Sequence, residues 1–212
     1  MGFNMIPFEE VKKYLPQYLS STAQQELFKE LNQFPHNIDQ RIYTSQLSEH
    51  KNIFQGDGIQ NLLYINLPST DIGEVPGMIL SNTCDIDPSN KRFMPLRMVY
   101  TPIFNLAKYE QTLVKTHVDS GSRTIQSINS HISDIKKQYV SHIFYLPKGG
   151  KLENDSIVFF DRLNNYPSDS IEGQELPDKR IFTLSDYGFY LFLFKLSVHF
   201  TRIRDGVSRS TH

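Results

Sequence analysis

The sequence has no tryptophan, one cysteine and no long apolar run. A single cysteine excludes an intramolecular disulfide, which is typical of proteins from a reducing compartment. The longest apolar run, Phe189 to Phe194, ends at Lys195 and is far shorter than the roughly 20 residues that a membrane span requires. The formal net charge of −1 gives no general attraction to polyanions, so any nucleic-acid binding depends on a local patch.

Aromatic residues are plentiful instead. The 212 residues include 15 Phe and 11 Tyr, and 39% of the chain is hydrophobic, which is enough for one sizeable core. Met1 to Pro7 has neither the basic start nor the apolar segment of a signal peptide. We therefore expect a cytoplasmic protein with no membrane partner.

The most informative stretch runs from Gly77 to Pro88, where an apolar segment becomes polar before a proline ends it. In an extended strand, successive side chains point to opposite faces. This alternation sends Leu80, Cys84 and Ile86 into the core and presents Thr83 and Asp85 to a cleft. Cys84 is then predicted to be a small buried hydrophobe rather than a nucleophile.

Helices are predicted at both ends of the chain and in its middle. Residues 1–50 form an N-terminal helical extension, with one helix over Phe8 to Leu15 and a second from Ser21 or Thr22 to near Pro35. Residues 51–212 form the main domain, with an inserted amphipathic helix at about 123–139 and a buried C-terminal helix at about 185–204, capped by Ser185.

Strands fill most of the main domain. Besides the stretch from Gly77, β-rich segments bounded by turn residues predict strands at Leu62–Leu67, Leu96–Phe104, His142–Pro147, Ser156–Phe160 and Arg180–Leu184. Pro102 cannot donate a ladder hydrogen bond, so it favours an edge strand or a bulge.

The order of these segments is similar to that of the PemK/MazF/Kid toxins, small ribonucleases with an SH3-like barrel. The resemblance covers about residues 56–200. It rests on Gly56-Asp57, the loop Pro68–Gly77, the strand Met78–Ser81, the segment Val99–Ile103, the strand Ser156–Phe160 with Asp161, and Arg180-Ile181 with the last helix. Ser81–Ile86 also resembles an S-x-T-C-D-I signature of uncharacterised bacterial proteins.

The resemblance implies an α+β fold built on an SH3-like antiparallel β-barrel. It further implies an RNA-binding protein or a metal-independent endoribonuclease that needs no cofactor, acts on single-stranded RNA and forms a homodimer. The setting would be a toxin–antitoxin or phage-defence system, with an antitoxin or another protein as partner. The loop Pro68–Gly77 lacks the arginine of the toxins, and Phe104 replaces a Thr or Ser. An alternative is therefore a catalytically inactive barrel that acts as a protein-interaction module.

Metal-free RNA cleavage needs a base, an acid and a cation near the phosphate. The candidate groups are Asp85 or Asp161 as base, His117 or His142 as acid, and Arg162 or Arg180 as cation. We assign Asp85, Asp161 and Thr83 as catalytic residues and Ser81, Asn82, Arg162 and Arg180 as substrate-binding residues. A metal site at Asp85 and Asp87 is a second possibility, but two ligands are too few to assign one. His131, on the inserted helix, is interpreted as an exposed or hydrogen-bonded bystander.

Overall fold

One antiparallel sheet organises the residues that the computed structural model describes, 20–171 and 175–201. Its strands run in the order β1-β8-β2-β3-β4-β6-β5, and β7 also pairs with β4. The eight strands in the described residues are β1 (Tyr43–Thr44), β2 (Gly58–Ile65), β3 (Ile72–Ile79), β4 (Arg97–Asn105), β5 (Ile143–Leu146), β6 (Ser156–Phe159), β7 (Asn164–Pro167) and β8 (Arg180–Leu184).

Six α-helices in the same part of the chain pack around this sheet. They are α1 (Ser21–Leu31), α2 (Thr83–Ile86), α3 (Leu106–Leu113), α4 (Ile125–Lys136), α5 (Leu176–Lys179) and α6 (Asp186–Thr201). A π-helical turn, Val114–Val118, continues α3. The expected α+β class with an antiparallel sheet is confirmed. No helix in the described ranges has the length and apolar character needed to cross a membrane.

Strand β4 is the centre of the sheet because it pairs with three others. It pairs with β3 on one edge, and on the other edge with β7 over its first half and with β6 over its second half. The Val99 N–H and C=O both point to the β3 edge. Because the backbone groups of successive residues point to opposite edges of a strand, the backbone of Pro102 points to the other edge. There Pro102 falls between the residues paired with β7 and those paired with β6. The missing N–H therefore costs no ladder bond, although Pro102 lies in a central strand rather than in the predicted edge strand.

The two sides of the sheet carry different helices. Helices α1 and α6 cover a core that includes Phe144, Phe160, Phe182 and Phe192. Helices α3 and α4 cover a second core on β5 and β6, formed by Leu106, Ile128, Ile132, Ile135, Ile143, Tyr145, Ile157 and Phe159. A third core lies between β2, β3, β4, α2 and α5. Residues 20–50 thus contribute α1 and β1 to the same sheet and core as the rest.

Local capping explains where three helices begin. The Ser20 hydroxyl accepts from Ala23 N–H at α1, the Thr124 hydroxyl accepts from Ser127 N–H at α4, and the Ser185 hydroxyl accepts from Gly188 N–H at α6. The helix predicted from Ser21 or Thr22, the inserted helix and the C-terminal helix are therefore confirmed in kind, with ends at Leu31, Lys136 and Thr201. The predicted helix over Phe8 to Leu15 lies outside the described residues.

Several elements differ from the sequence predictions. Helix α3 and strand β7 were not predicted, and β2 begins at Gly58 and is only half buried rather than fully buried. The largest error concerns Gly77 to Pro88, because β3 ends at Ile79 and Thr83–Ile86 is a short helix.

Candidate functional site

The stretch after β3 turns into a helix because its own side chains cap it. The Asn82 carboxamide oxygen accepts from Cys84 N–H at 2.9 Å, and an asparagine cap of this kind favours a helical turn over a continued strand. The predicted extended alternation is therefore wrong beyond Leu80. Leu80 and Ile86 are buried as expected, but Cys84 is exposed, so its predicted burial is also wrong.

Polar side chains of this stretch form hydrogen bonds that stabilise the fold. The Ser81 hydroxyl accepts from Val99 N–H at 2.7 Å and fixes the end of β3 against β4. The Thr83 hydroxyl accepts from Gln55 N–H at 2.9 Å. Together with the Asn82 cap, these bonds show that three of the predicted site residues, Ser81, Asn82 and Thr83, stabilise the local fold at this edge of β4.

The two carboxylates of this stretch do not face one cleft. Asp85 pairs with Arg92 at 2.5 Å, and both side chains are at least half exposed. Asp87 accepts from Ser89 N–H, and hydrogen bonding to the side chain of Ser89, together with this backbone bond, lowers the pKa of the Asp87 carboxyl. No group of three His, Cys, Asp or Glu side chains in residues 20–171 and 175–201 is arranged to hold a metal ion.

Arg180, predicted to bind substrate, is buried in an ion pair. Its Nε lies 3.1 Å from Oδ2 of Asp57, and the two side chains are 2% and 0% exposed. Its terminal nitrogens donate to four backbone carbonyls of the segment before β2, those of Leu47, Ser48, His50 and Asn52. Each of its three guanidinium nitrogens thus donates to an acceptor inside the protein.

The other two predicted residues, Asp161 and Arg162, lie across β4 from this region, in the exposed turn that follows β6. The Arg162 guanidinium lies over the Phe159 ring, 4.3 Å from its centroid, and 5.2 Å from the centroid of Phe104. Stacking on two rings orients the guanidinium while leaving its N–H groups at the surface. The structure therefore separates the Asp85 region from the Asp161–Arg162 turn.

A tyrosine and a histidine lie against the same Phe159 ring, and a second histidine lies against that tyrosine. The ring of Tyr109 packs edge-on against Phe159 at 5.6 Å, and its hydroxyl lies 3.2 Å from Nε2 of His131. The His142 ring lies 6.4 Å from the ring of Phe159. We call these residues, together with Arg162, the Phe159 cluster.

The electrostatics of the cluster favour a neutral imidazole at His131. Partial burial lowers the pKa of His131, and electrostatic interactions with His142 and Arg123 lower that pKa further, against an opposing effect of Asp134. Burial raises the pKa of Tyr109, which keeps its hydroxyl protonated. At neutral pH the cluster thus offers a proton acceptor, a second imidazole and a fixed cation on one surface.

Sequence reasoning found only part of this cluster. His142 and Arg162 were candidates for acid and cation, whereas Tyr109 lies on the unpredicted α3 and His131 was set aside as a bystander. His131 precedes the buried Ile132 on α4, so its position at the edge of the apolar face was the available signal. His117 is not in the cluster, since its Nδ1 contacts the Ser122 hydroxyl of its own turn at 3.1 Å.

A scan against protein-family models and a search of curated proteins found no match for this chain.

Proposed function

We propose that the protein binds single-stranded RNA and cleaves it without a metal ion, at the Phe159 cluster. The single observation that carries this proposal is a connected cluster of side chains: His142 and Arg162 lie against the Phe159 ring, and His131 bonds to Tyr109, which packs on the same ring. Two imidazoles and a guanidinium supply the base, the acid and the phosphate-binding cation that this chemistry requires.

Each group has a defined role in the proposed reaction. When Nε2–H of His131 donates to the Tyr109 oxygen, Nδ1 keeps a lone pair that accepts the proton of the ribose 2′-hydroxyl. The 2′-oxygen then bonds to phosphorus, the bond to the 5′-oxygen breaks, and His142 gives that oxygen a proton. Arg162 stabilises the negative charge that develops on the phosphoryl oxygens. Asp161, beside Arg162, is retained as a candidate catalytic residue.

We further propose a distant relationship to the PemK/MazF toxins and their SH3-like barrel. The antiparallel sheet is compatible with it, and the buried ion pair of Asp57 and Arg180 joins two of the segments that carry the resemblance, Gly56-Asp57 and Arg180-Ile181. On this proposal the protein forms a homodimer, and its RNA cleavage is restrained by an antitoxin or another protein in a toxin–antitoxin or phage-defence system.

The test is incubation of the purified protein with single-stranded RNA in EDTA and in Mg²⁺. We expect cleavage in both, and a loss of about 10²-fold or more for His131→Gln, His142→Gln and Arg162→Gln, as for removal of an acid, base or charge-stabilising group. The rate should fall when the pH drops below the pKa of His131, which burial lowers from the ordinary 6.5, because the base then becomes protonated. Asp161→Asn tests the remaining candidate.

Asp85→Asn and His117→Gln are the matched controls, because both residues are charged or titratable and lie outside the cluster. Both should cleave like the wild type. Equal loss in the controls, or cleavage that persists in all three cluster variants, would contradict the proposed site. Cleavage that depends on Mg²⁺ would contradict the metal-free mechanism.

A second candidate function is an interaction module without catalysis. The observation that favours it is the set of large apolar side chains that α6 leaves exposed, Phe194, Val198 and Phe200. Exposed apolar patches are typical of protein-interaction surfaces. Wild-type protein that neither binds nor cleaves RNA would favour this candidate over the nuclease.

A further inference from the structure

A cavity lies away from the Phe159 cluster, between the end of α1, the loop after α4, and α6. Its volume is about 400 Å³, within the range of small-molecule sites. Its walls are mostly apolar or aromatic, formed by Leu31, Phe34, Tyr139, Tyr190, Phe194 and Val198. The cavity is therefore suited to an apolar group of small-molecule size.

One buried cation lines this cavity. The Lys195 side chain is on α6 and is 5% exposed, and its Nζ donates to Gln138 Oε1 at 2.8 Å, to the Val140 carbonyl at 3.0 Å and to the Ile143 carbonyl. These acceptors are neutral, and no carboxylate in the described ranges acts on the Lys195 charge. An ammonium group buried without an opposite charge is costly, and burial lowers the pKa of Lys195 to about 7.

One of the three acceptors can be exchanged for a ligand. Gln138 Oε1 also accepts from Tyr145 N–H at 3.1 Å, so it keeps a hydrogen bond when Nζ turns away from it. Gln138 itself lines the cavity, next to Lys195. An anionic group that replaces Gln138 Oε1 as an acceptor gains a charge-assisted hydrogen bond from Lys195 Nζ and neutralises the buried charge. Gln138 Oε1 is not left unpaired.

We propose that this cavity binds a small amphiphilic carboxylate, with its alkyl chain against α1 and α6 and its carboxylate on Lys195. A cationic head group is excluded by repulsion from Lys195, and a neutral alcohol leaves the buried charge uncompensated. The proposal is independent of RNA cleavage, because none of its residues belongs to the Phe159 cluster.

The test measures binding of decanoate by calorimetry, with decanol and decyltrimethylammonium as probes that share the chain and differ in the head group. We expect decanoate to bind at least 10-fold more tightly than either. Lys195→Met should abolish this preference, and Val198→Phe, which fills the cavity without touching the cation, should weaken decanoate at least 10-fold. Ser197→Ala, exposed on the same helix, should bind like the wild type.

Thermal unfolding of each variant checks that it is folded. If Lys195→Met does not fold, the decanoate affinity of Val198→Phe tests the proposal instead. The proposal would be overturned if the wild type did not bind decanoate, or bound decanoate and decanol equally well. It would also be overturned if folded Lys195→Met kept the preference for decanoate, or if Val198→Phe bound decanoate like the wild type.

Discussion

At the residue scale, Asp57 and Arg180 form an ion pair in which both side chains are buried. Asp57 also accepts from Phe54 N–H and from the Thr183 hydroxyl, so both charges are fully hydrogen-bonded. The pair connects the turn before β2 to β8 and, through four carbonyls, to the segment at 47–52. Removing either charge leaves the other buried without a partner.

We therefore expect Arg180→Met to lower the free energy of unfolding by about 3–5 kcal/mol, the usual loss when one partner of a buried ion pair is removed. The control is Arg92→Met, which breaks the exposed pair with Asp85 and should cost no more than about 1 kcal/mol. Urea unfolding followed by circular dichroism measures both. Similar losses in the two variants would mean that Arg180 is not structural and would return it to the list of possible ligand-binding residues.

The sequence identified some of these residues without their relationships. Gly56-Asp57 was identified as part of the family resemblance, and Gly56 has a φ of +88°, which suits glycine. The ion pair of Asp57 with Arg180, 123 residues away, leaves no local pattern in the sequence. Arg180 was therefore predicted to bind substrate. In the same way, no pattern indicated that His142 and Arg162 share the Phe159 ring, or that His131 is linked to that ring through Tyr109.

At the element scale, α6 crosses the chain before β1 unusually closely. Gly188 lies in its first turn, and a Cβ added there would overlap the backbone carbonyl oxygen of Ile42. Ser185 N–H donates to the same Ile42 carbonyl, and the Ser185 hydroxyl donates to the carbonyl of Arg41, so this backbone is held in place. The helix cannot move away without losing these bonds.

Alanine normally stabilises a helix relative to glycine by up to about 1 kcal/mol. At Gly188 we expect the reverse, a loss of about 1–3 kcal/mol, because overpacking against fixed backbone outweighs helix propensity. The matched control is Gly73→Ala on β3, where an added Cβ meets nothing within 4 Å. Thermal unfolding compares them, and a stabilised Gly188→Ala protein would contradict the close crossing.

Elements with a strong periodic pattern were predictable. The buried Ile128, Ile132 and Ile135 gave α4, and the β-rich runs gave β4, β5, β6 and β8. The helix at Thr83–Ile86 was not predicted because four residues carry no helical period, and a side-chain cap from Asn82 decided the outcome. Strand β7, with its polar Asn164 and Asn165, lacks the apolar alternation that identifies a strand.

At the scale of the whole molecule, Lys195 makes global stability depend on pH. Burial lowers the pKa of Lys195 to about 7 in the folded chain, from 10.5 for a free lysine. Between these values the unfolded chain holds a proton that the folded chain releases, so stability from this group rises as the pH rises and is lowest below pH 7.

We expect the wild type to gain stability relative to Lys195→Met when the pH is raised from about 7 to about 9.5, because only the wild type carries this proton linkage. Urea unfolding at the two pH values measures the difference, and the Lys148→Met variant, at an exposed lysine, should follow the wild type. Parallel pH profiles for the wild type and Lys195→Met would show that Lys195 keeps its ordinary pKa.

The Phe159 cluster draws its members from two layers, with Tyr109 and His131 on α3 and α4 and the other residues on or beside the sheet strands. This arrangement of side chains exists only while the helical layer, α3 and α4, is packed against the sheet. Local opening of that layer would separate the side chains of the cluster while the sheet remained folded, so the proposed RNA cleavage would be lost under conditions milder than those that unfold the protein.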